Sequence, residues 1–188
     1  MSKEKLEFRM YGLVNYQLSG IQKGIQFGHA VVEYGLTIGN TEEYKKWAKE
    51  DKTFIILNGG TTNDKPDITT GEYKGTLNQH KEKLKLNRVS IATFKEPDLG
   101  DQLTAVVFLV DERVFNKEKY PDFKDYVISK IGTQEYELQK ESFLIKTEGK
   151  ENPTPENIYP NFYKKWVYKV GGEKNVFLRQ FLKNFRLA

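Results

Sequence analysis

The 188-residue chain contains no cysteine, which excludes disulfides, thiolate metal ligands and catalysis by a cysteine nucleophile. Only two histidines are present, His29 and His80. That is too few for a histidine-rich metal cluster, so neither a metal site nor a cofactor is expected. Long hydrophobic runs are also missing. The longest, such as residues 105–110, fall far short of the roughly 18 to 20 apolar residues that cross a bilayer, and the charged start MSKEKLEFR has no signal-peptide core. A cytoplasmic protein with no membrane partner is expected. There is no internal repeat and no Walker or dinucleotide-binding glycine pattern; the turn NGGTT at residues 58–62 reads as a strand exit able to form an amide nest.

What the chain does have is charge, unevenly placed. The net charge is +4. Residues 161–188 hold seven basic side chains, Arg179, Lys183 and Arg186 among them, against Glu173 alone. That local balance of +6 leaves the rest of the chain near −2. A basic end on a near-neutral body is a candidate phosphate-binding patch, and equally a solvated helix face.

Hydrophobic patterning gives the order of elements. Residues 7–16, EFRMYGLVNY, read as a first strand, closed by the turn-prone Ser19-Gly20. The next stretch, SGIQKGIQFGHAVVEYG, has helical spacing that sets Gln22, Gln26, His29 and Glu33 in one narrow polar stripe. Apolar residues flank it: Ile21, Ile25, Val32 and Leu36 on one side, Phe27, Ala30, Val31 and Tyr34 on the other. Much of this helix is therefore expected to be buried. A short helix with Trp47 on its apolar side follows the cap candidates at residues 40–43. Then come a buried strand at 52–58, a polar loop to about residue 75, and a helix at 76–86 on which His80 sits among lysines on the presumed solvent face. Two more strands, 88–94 and 102–110, are joined by the acidic linker KEPDLGD, a length that permits an antiparallel hairpin but no helical crossover. The sum is a mixed sheet covered by helices.

From residue 111 onward aromatics are spread through charged, helix-compatible sequence. A proline-rich stretch at 152–160 reads as a linker or wrapped loop. The end, residues 173–185, is amphipathic, with Phe177, Leu178, Phe181, Leu182 and Phe185 on one arc and Arg179, Lys183 and Arg186 on another. The aromatic arc is expected to dock on the body, or else to form an interaction patch.

Residues 13–35, LVNYQLSGIQKGIQFGHAVVEYG, resemble the opening of the type 2 peptidyl-tRNA hydrolase family, in which a strand runs through a lysine- and glycine-rich turn into a helix bearing Gln-x-x-His-Ala. Gln26, His29 and Ala30 match that signature. The later order is similar too: Trp47 in the second helix, the strand TFIILN, a helix, and a hairpin EPDLGDQLTAVVFLV with an acidic turn and Thr104 on its return. The likeness covers roughly residues 7–110. In this chain the turn supplies only Lys23 ahead of the glutamine, and Glu96-Pro97-Asp98 stands where the family has Asp-Ala-Gly.

The resemblance implies a three-layer α/β sandwich with a four-stranded mixed sheet at residues 1–110, followed by a helical extension at 111–188 without a family counterpart. It also implies cleavage of the ester between peptide and tRNA. That reaction needs an activated water and donors facing the oxyanion. On this reading His29 or a carboxylate among Glu96, Asp98 and Asp101 activates the water. Lys23 contacts phosphate or oxyanion, and Gln22, Gln26 and Thr104 orient water or substrate. Outside the resemblance, the basic Arg179 and Lys183 are expected either to grip RNA backbone or to keep an amphipathic helix soluble. Two other functions stay open: the fold kept without hydrolysis, binding a nucleotide or RNA, and an assembly protein that forms a homo-oligomer through its C-terminal aromatic helices.

Overall fold

A computed structural model describes residues 5–146 and 154–188. The chain divides into two compact units, one made of Met1–Glu112 with Gln180–Ala188, the other of Arg113–Arg179. The last nine residues thus belong with the first unit, and the extension that starts near residue 111 does not run to the end of the chain.

In the first unit β1 (Phe8–Asn15), α1 (Gly20–Ile38), α2 (Glu42–Lys46), β2 (Thr53–Gly60), α3 (Thr76–Leu86), β3 (Ile91–Glu96) and β4 (Gln102–Asp111) follow in order. The sheet is mixed, with strand order β2-β1-β4-β3. β1 and β2 run parallel, while β4 is antiparallel to both β1 and β3. This is an α/β sandwich: α1 and the Trp47 turn cover one face, and α3 packs on the other.

Alternation along β1 builds both faces. Met10 and Val14 pack with Phe27, Ala30, Tyr34 and Trp47, whereas Leu13 lies with Leu77 and Gly59 on the α3 side. A Cβ on Gly12 would run into the ring of Phe27, so this glycine lets α1 come close to the sheet. A π-turn at Trp47–Asp51 ends the second helix. It is fixed by Trp47 Nε1 donating to the Thr53 carbonyl at 3.2 Å and by Asp51 accepting from the Phe8 amide at 2.8 Å.

The free edge of β2 is covered by the chain end. The Asn58 amide donates to the Arg186 carbonyl and the Ala188 amide to the Ile56 carbonyl, each at 3.0 Å. A paired edge cannot template strands from other chains.

Two expectations change here. Only one apolar side of α1 is buried: Phe27, Ala30 and Tyr34 face the sheet, while Ile21, Ile25, Val32 and Leu36 are between 51% and 80% exposed. A helix on a flat sheet can bury one arc, and the aromatic arc is the one the sheet takes. His80 is not on a solvent face. Its ring lies edge-on to Phe181 at 5.6 Å and Phe185 at 4.8 Å, and its buried Nδ1 has no hydrogen-bond partner among the described residues.

Burial, and then the charge of Lys83, pushes the His80 pKa below the ordinary 6.5. The unfolded chain therefore binds the proton more readily, and stability falls as pH drops below about 6.5 toward the folded-state value. Thermal unfolding should show a lower Tm at about pH 5.5 than at about pH 7.5, and His80→Phe, which keeps the ring contacts, should flatten that dependence. An identical pH slope in the variant would refute the assignment.

The second unit begins within α4 (Glu112–Phe115) and contains α5 (Phe123–Ile128), α6 (Gln134–Lys146), α7 (Pro155–Ile158), α8 (Pro160–Lys169) and most of α9 (Glu173–Phe181). Of the stretch at 152–160, residues 152–153 lie outside the described residues. The remainder is largely helical, with Pro160 in the first turn of α8, where its missing N–H costs nothing. Tyr120, Phe123, Tyr126, Phe162 and Trp166 are buried aromatics of this unit, and Trp166 Nε1 donates to the Pro121 carbonyl at 2.9 Å.

Candidate functional site

β1 and β2 end at Asn15 and Gly60, and β4, running the other way, starts at Gln102 with Ala105 opposite Val14. The turn into α1, the loop after β2 and the β3–β4 turn therefore gather at one end of the sheet, beyond the carboxyl ends of the parallel strands, where open α/β sheets place their ligands.

α1 starts there because Ser19 caps it. Ser19 Oγ accepts from the Gln22 amide at 3.3 Å, and Gln22 Oε1 accepts from the Ser19 amide at 3.0 Å, a reciprocal capping box. Gln22 is thus engaged in capping the start of the helix and is exposed.

One turn further on, Gln26 is 6% exposed. Its Oε1 accepts from Thr104 Oγ1 at 2.6 Å, and its Nε2 donates to Glu96 Oε2. Thr104 has a second acceptor within reach, the Phe94 carbonyl at 3.3 Å, but one hydroxyl proton serves the closer oxygen better. The result is a directed chain, Thr104 to Gln26 to Glu96. It fixes the amide orientation and leaves Glu96 Oε1 without a partner among the described residues.

His29, three positions along α1, is exposed and stacks on Phe94 with ring centroids 4.5 Å apart and planes at 17°. Neither ring nitrogen bonds to a described residue. Lys23 continues the inward-facing row of Gln26, Phe27, Ala30 and Tyr34 by helical spacing, at the first turn of the helix. It forms no ion pair among the described residues and no acidic residue shares that turn, so its charge and the helix N-terminus act in the same sense.

Asp98 and Asp101 do not join this group. Both are exposed; Asp98 lies in the short 3-10 turn Pro97–Leu99, and Asp101 has φ 57°. Turn formation accounts for both. Lys183 is exposed, in the turn after α9.

Arg179 is a correction. It is 2% exposed and its guanidinium is bound to Asp122 at 2.6 Å and to the carbonyls of Tyr120 and Arg113 at 2.8 and 2.5 Å. Its donors are directed inward, so it is not an RNA-gripping residue.

No family model matches the sequence, and no curated protein matches it.

Sequence reasoning missed the layer beneath the site. Asn15, buried at 6%, donates to Thr62 Oγ1 at 3.0 Å, and Thr62 donates to the Leu103 carbonyl at 2.6 Å. Asp64 accepts from the Leu103 amide at 3.1 Å and from Asn78 Nδ2 at 2.5 Å, with Lys95 Nζ at 3.5 Å. Both backbone groups of Leu103, the residue before Thr104, are thus held by the β2–α3 loop. The signal was present: Asn15 closes an apolar strand, and Asn78 follows Leu77 on the inward face of α3. Among the described residues no group of histidines and carboxylates is placed to hold a metal ion.

Chemically the end of the sheet offers one anchored carboxylate with an oxygen unbonded among the described residues, an ammonium at a helix start without an ion partner among them, and an aromatic shelf.

Proposed function

We propose that the α/β unit hydrolyses the ester linking a peptide to the 3′ end of tRNA, in the cytoplasm. The observation that carries this reading is the directed chain from Thr104 through Gln26 to Glu96, with Lys23 in the first turn of the same helix. Glu96 Oε1 accepts a proton from a water molecule, and the water oxygen attacks the ester carbonyl. The ammonium of Lys23 faces the developing oxyanion or the terminal phosphate. Collapse breaks the ester bond, and the proton passes to the departing ribose hydroxyl, giving free peptide acid and tRNA. No covalent enzyme intermediate is required, which suits a chain without cysteine. His29, stacked on Phe94 of the strand that ends at Glu96, supplies a flat surface.

The test is release of tRNA from an N-blocked aminoacyl-tRNA by the 188-residue chain, with Lys23→Ala as comparison. Turnover by the wild type that drops at least about a hundredfold in the variant is expected, since the ammonium counts most when charge develops. Absence of turnover in a folded wild type overturns the proposal. Salt-dependent RNA binding without turnover would instead point to a binding protein on this fold.

A further inference from the structure

The outward face of α1 has the wrong chemistry for water. Opposite the buried row, Ile21, Ile25, Val32 and Leu36 are 80%, 51%, 61% and 76% exposed. They recur at spacings of four, seven and four, so they form a single ridge along the helix axis. Gly24 and Gly28 lie beside them, and a Cβ on either would meet nothing within 4 Å. In a chain with 30% charged residues this ridge carries none. Such a surface repays burial, and an apolar ridge of this length on a helix marks an interaction face.

We propose that this face is the interface of a homodimer in which α1 packs antiparallel against α1 of a second copy. Three observations select the second copy as occupant. First, the ridge is its own complement. About a twofold axis between residues 28 and 29, Ile21 meets Leu36 of the second copy and Ile25 meets Val32, which is what an isologous interface requires. Second, the residue at that axis on the ridge is Gly28, whose open surroundings let two backbones approach where the helices cross. Third, the absence of charge excludes RNA and acidic partners, which need cations facing them. Gln22, His29 and Glu33 border one side of the ridge and supply the polar rim seen around apolar interface cores.

The size of the face sets the strength. A 19-residue helix is about 28 Å long and presents far fewer than the roughly 20 to 30 residues a side of a standard stable interface. The dimer is therefore reversible, with dissociation in the micromolar range or above. Lys23 and Gln26 lie on the other side of the helix, so pairing covers neither, and the inference stands independently of the proposed hydrolysis.

Sedimentation of the intact chain from low micromolar to several hundred micromolar tests this. The wild type should shift from monomer to dimer with concentration. Ile25→Glu and Val32→Lys, each at an exposed position, should weaken the dimer about a hundredfold or more, because symmetry applies every substitution twice. The double variant Ile25→Glu/Val32→Lys places opposite charges across the axis and should recover most of that loss. Circular dichroism checks that each variant is folded. In a chain without cysteine, Ile25→Cys/Val32→Cys should in addition form an intermolecular disulfide on oxidation. A wild type that stays monomeric throughout overturns the proposal. Dimerisation that ignores the single variants, or that the double variant fails to restore, overturns it equally.

Discussion

Replacing Arg179 by alanine should destabilise the helical unit by about 3 kcal/mol, because it removes one partner of a buried, multiply bonded ion pair. The guanidinium is held on three sides within this unit: Nε and one terminal nitrogen bind Asp122 at 3.2 and 2.6 Å, and the carbonyls of Tyr120 and Arg113 accept the remaining bonds at 2.8 and 2.5 Å. Its fourth neighbour is the Trp166 ring, 5.7 Å from the guanidinium carbon. The side chain is 1% exposed, but that of Asp122 is 35% exposed and also meets Lys117 at 2.9 Å. Water and Lys117 therefore soften the loss on the acidic side, which places the cost at the lower end for a broken buried pair. Two carbonyls still lose a charged donor. Chemical denaturation of wild type and Arg179→Ala measures the difference directly, and in a thermal scan it should appear as a fall in Tm of roughly 10 °C or more. Arg179→Lys should recover only part of it, since three donors on a flexible stem cannot span Asp122 and two carbonyls together. A loss under about 1 kcal/mol in Arg179→Ala would show that these contacts contribute no more than an exposed pair does.

Arg179 also shows where sequence reading stops. Its partners lie 57 and 59 residues away, and nothing in the local pattern of an amphipathic helix separates a cation turned inward from one turned to water. The same limit applies to His80, whose lysine neighbours suggest solvent while Phe181 and Phe185 close over it from the far end of the chain. α1 is a different case. Its spacing correctly shows two apolar arcs and a polar stripe between them, but periodicity reports which residues share an arc, not which arc the sheet takes. That choice depends on Gly12, Val14 and Val107 offering room to Phe27 and Ala30. The strands were legible because their information is local: each is a short β-rich run closed by turn residues, and the linker of residues 95–101 is too brief for anything but the antiparallel hairpin that β3 and β4 form. That Gln26 shares a site with Thr104 and a hairpin acid was expected from the resemblance. Which hairpin acid it meets was not, because Glu96, Asp98 and Asp101 differ only in where the turn aims them.

That difference leads to the sharpest functional expectation. Glu96→Gln should lower kcat for ester hydrolysis by about a hundredfold to a thousandfold, within the range that a positioned base contributes. Asp98→Asn and Asp101→Asn should leave the rate near that of the wild type. Glu96→Gln keeps the shape and keeps an oxygen able to accept from Gln26 Nε2, so the anchoring chain from Thr104 survives while the open oxygen becomes an amide that takes no proton. KM should change little, because the substrate gains nothing in the ground state from a group that acts on water. Thr104→Val separates anchoring from chemistry. It removes the donor to Gln26 Oε1, frees the amide to rotate, and should reduce kcat by a smaller factor, which Thr104→Ser, retaining the hydroxyl, should largely restore. If Glu96→Gln hydrolyses the ester at the wild-type rate, the carboxylate is not the water acceptor. The same assay on His29→Ala then decides whether the imidazole on Phe94 is.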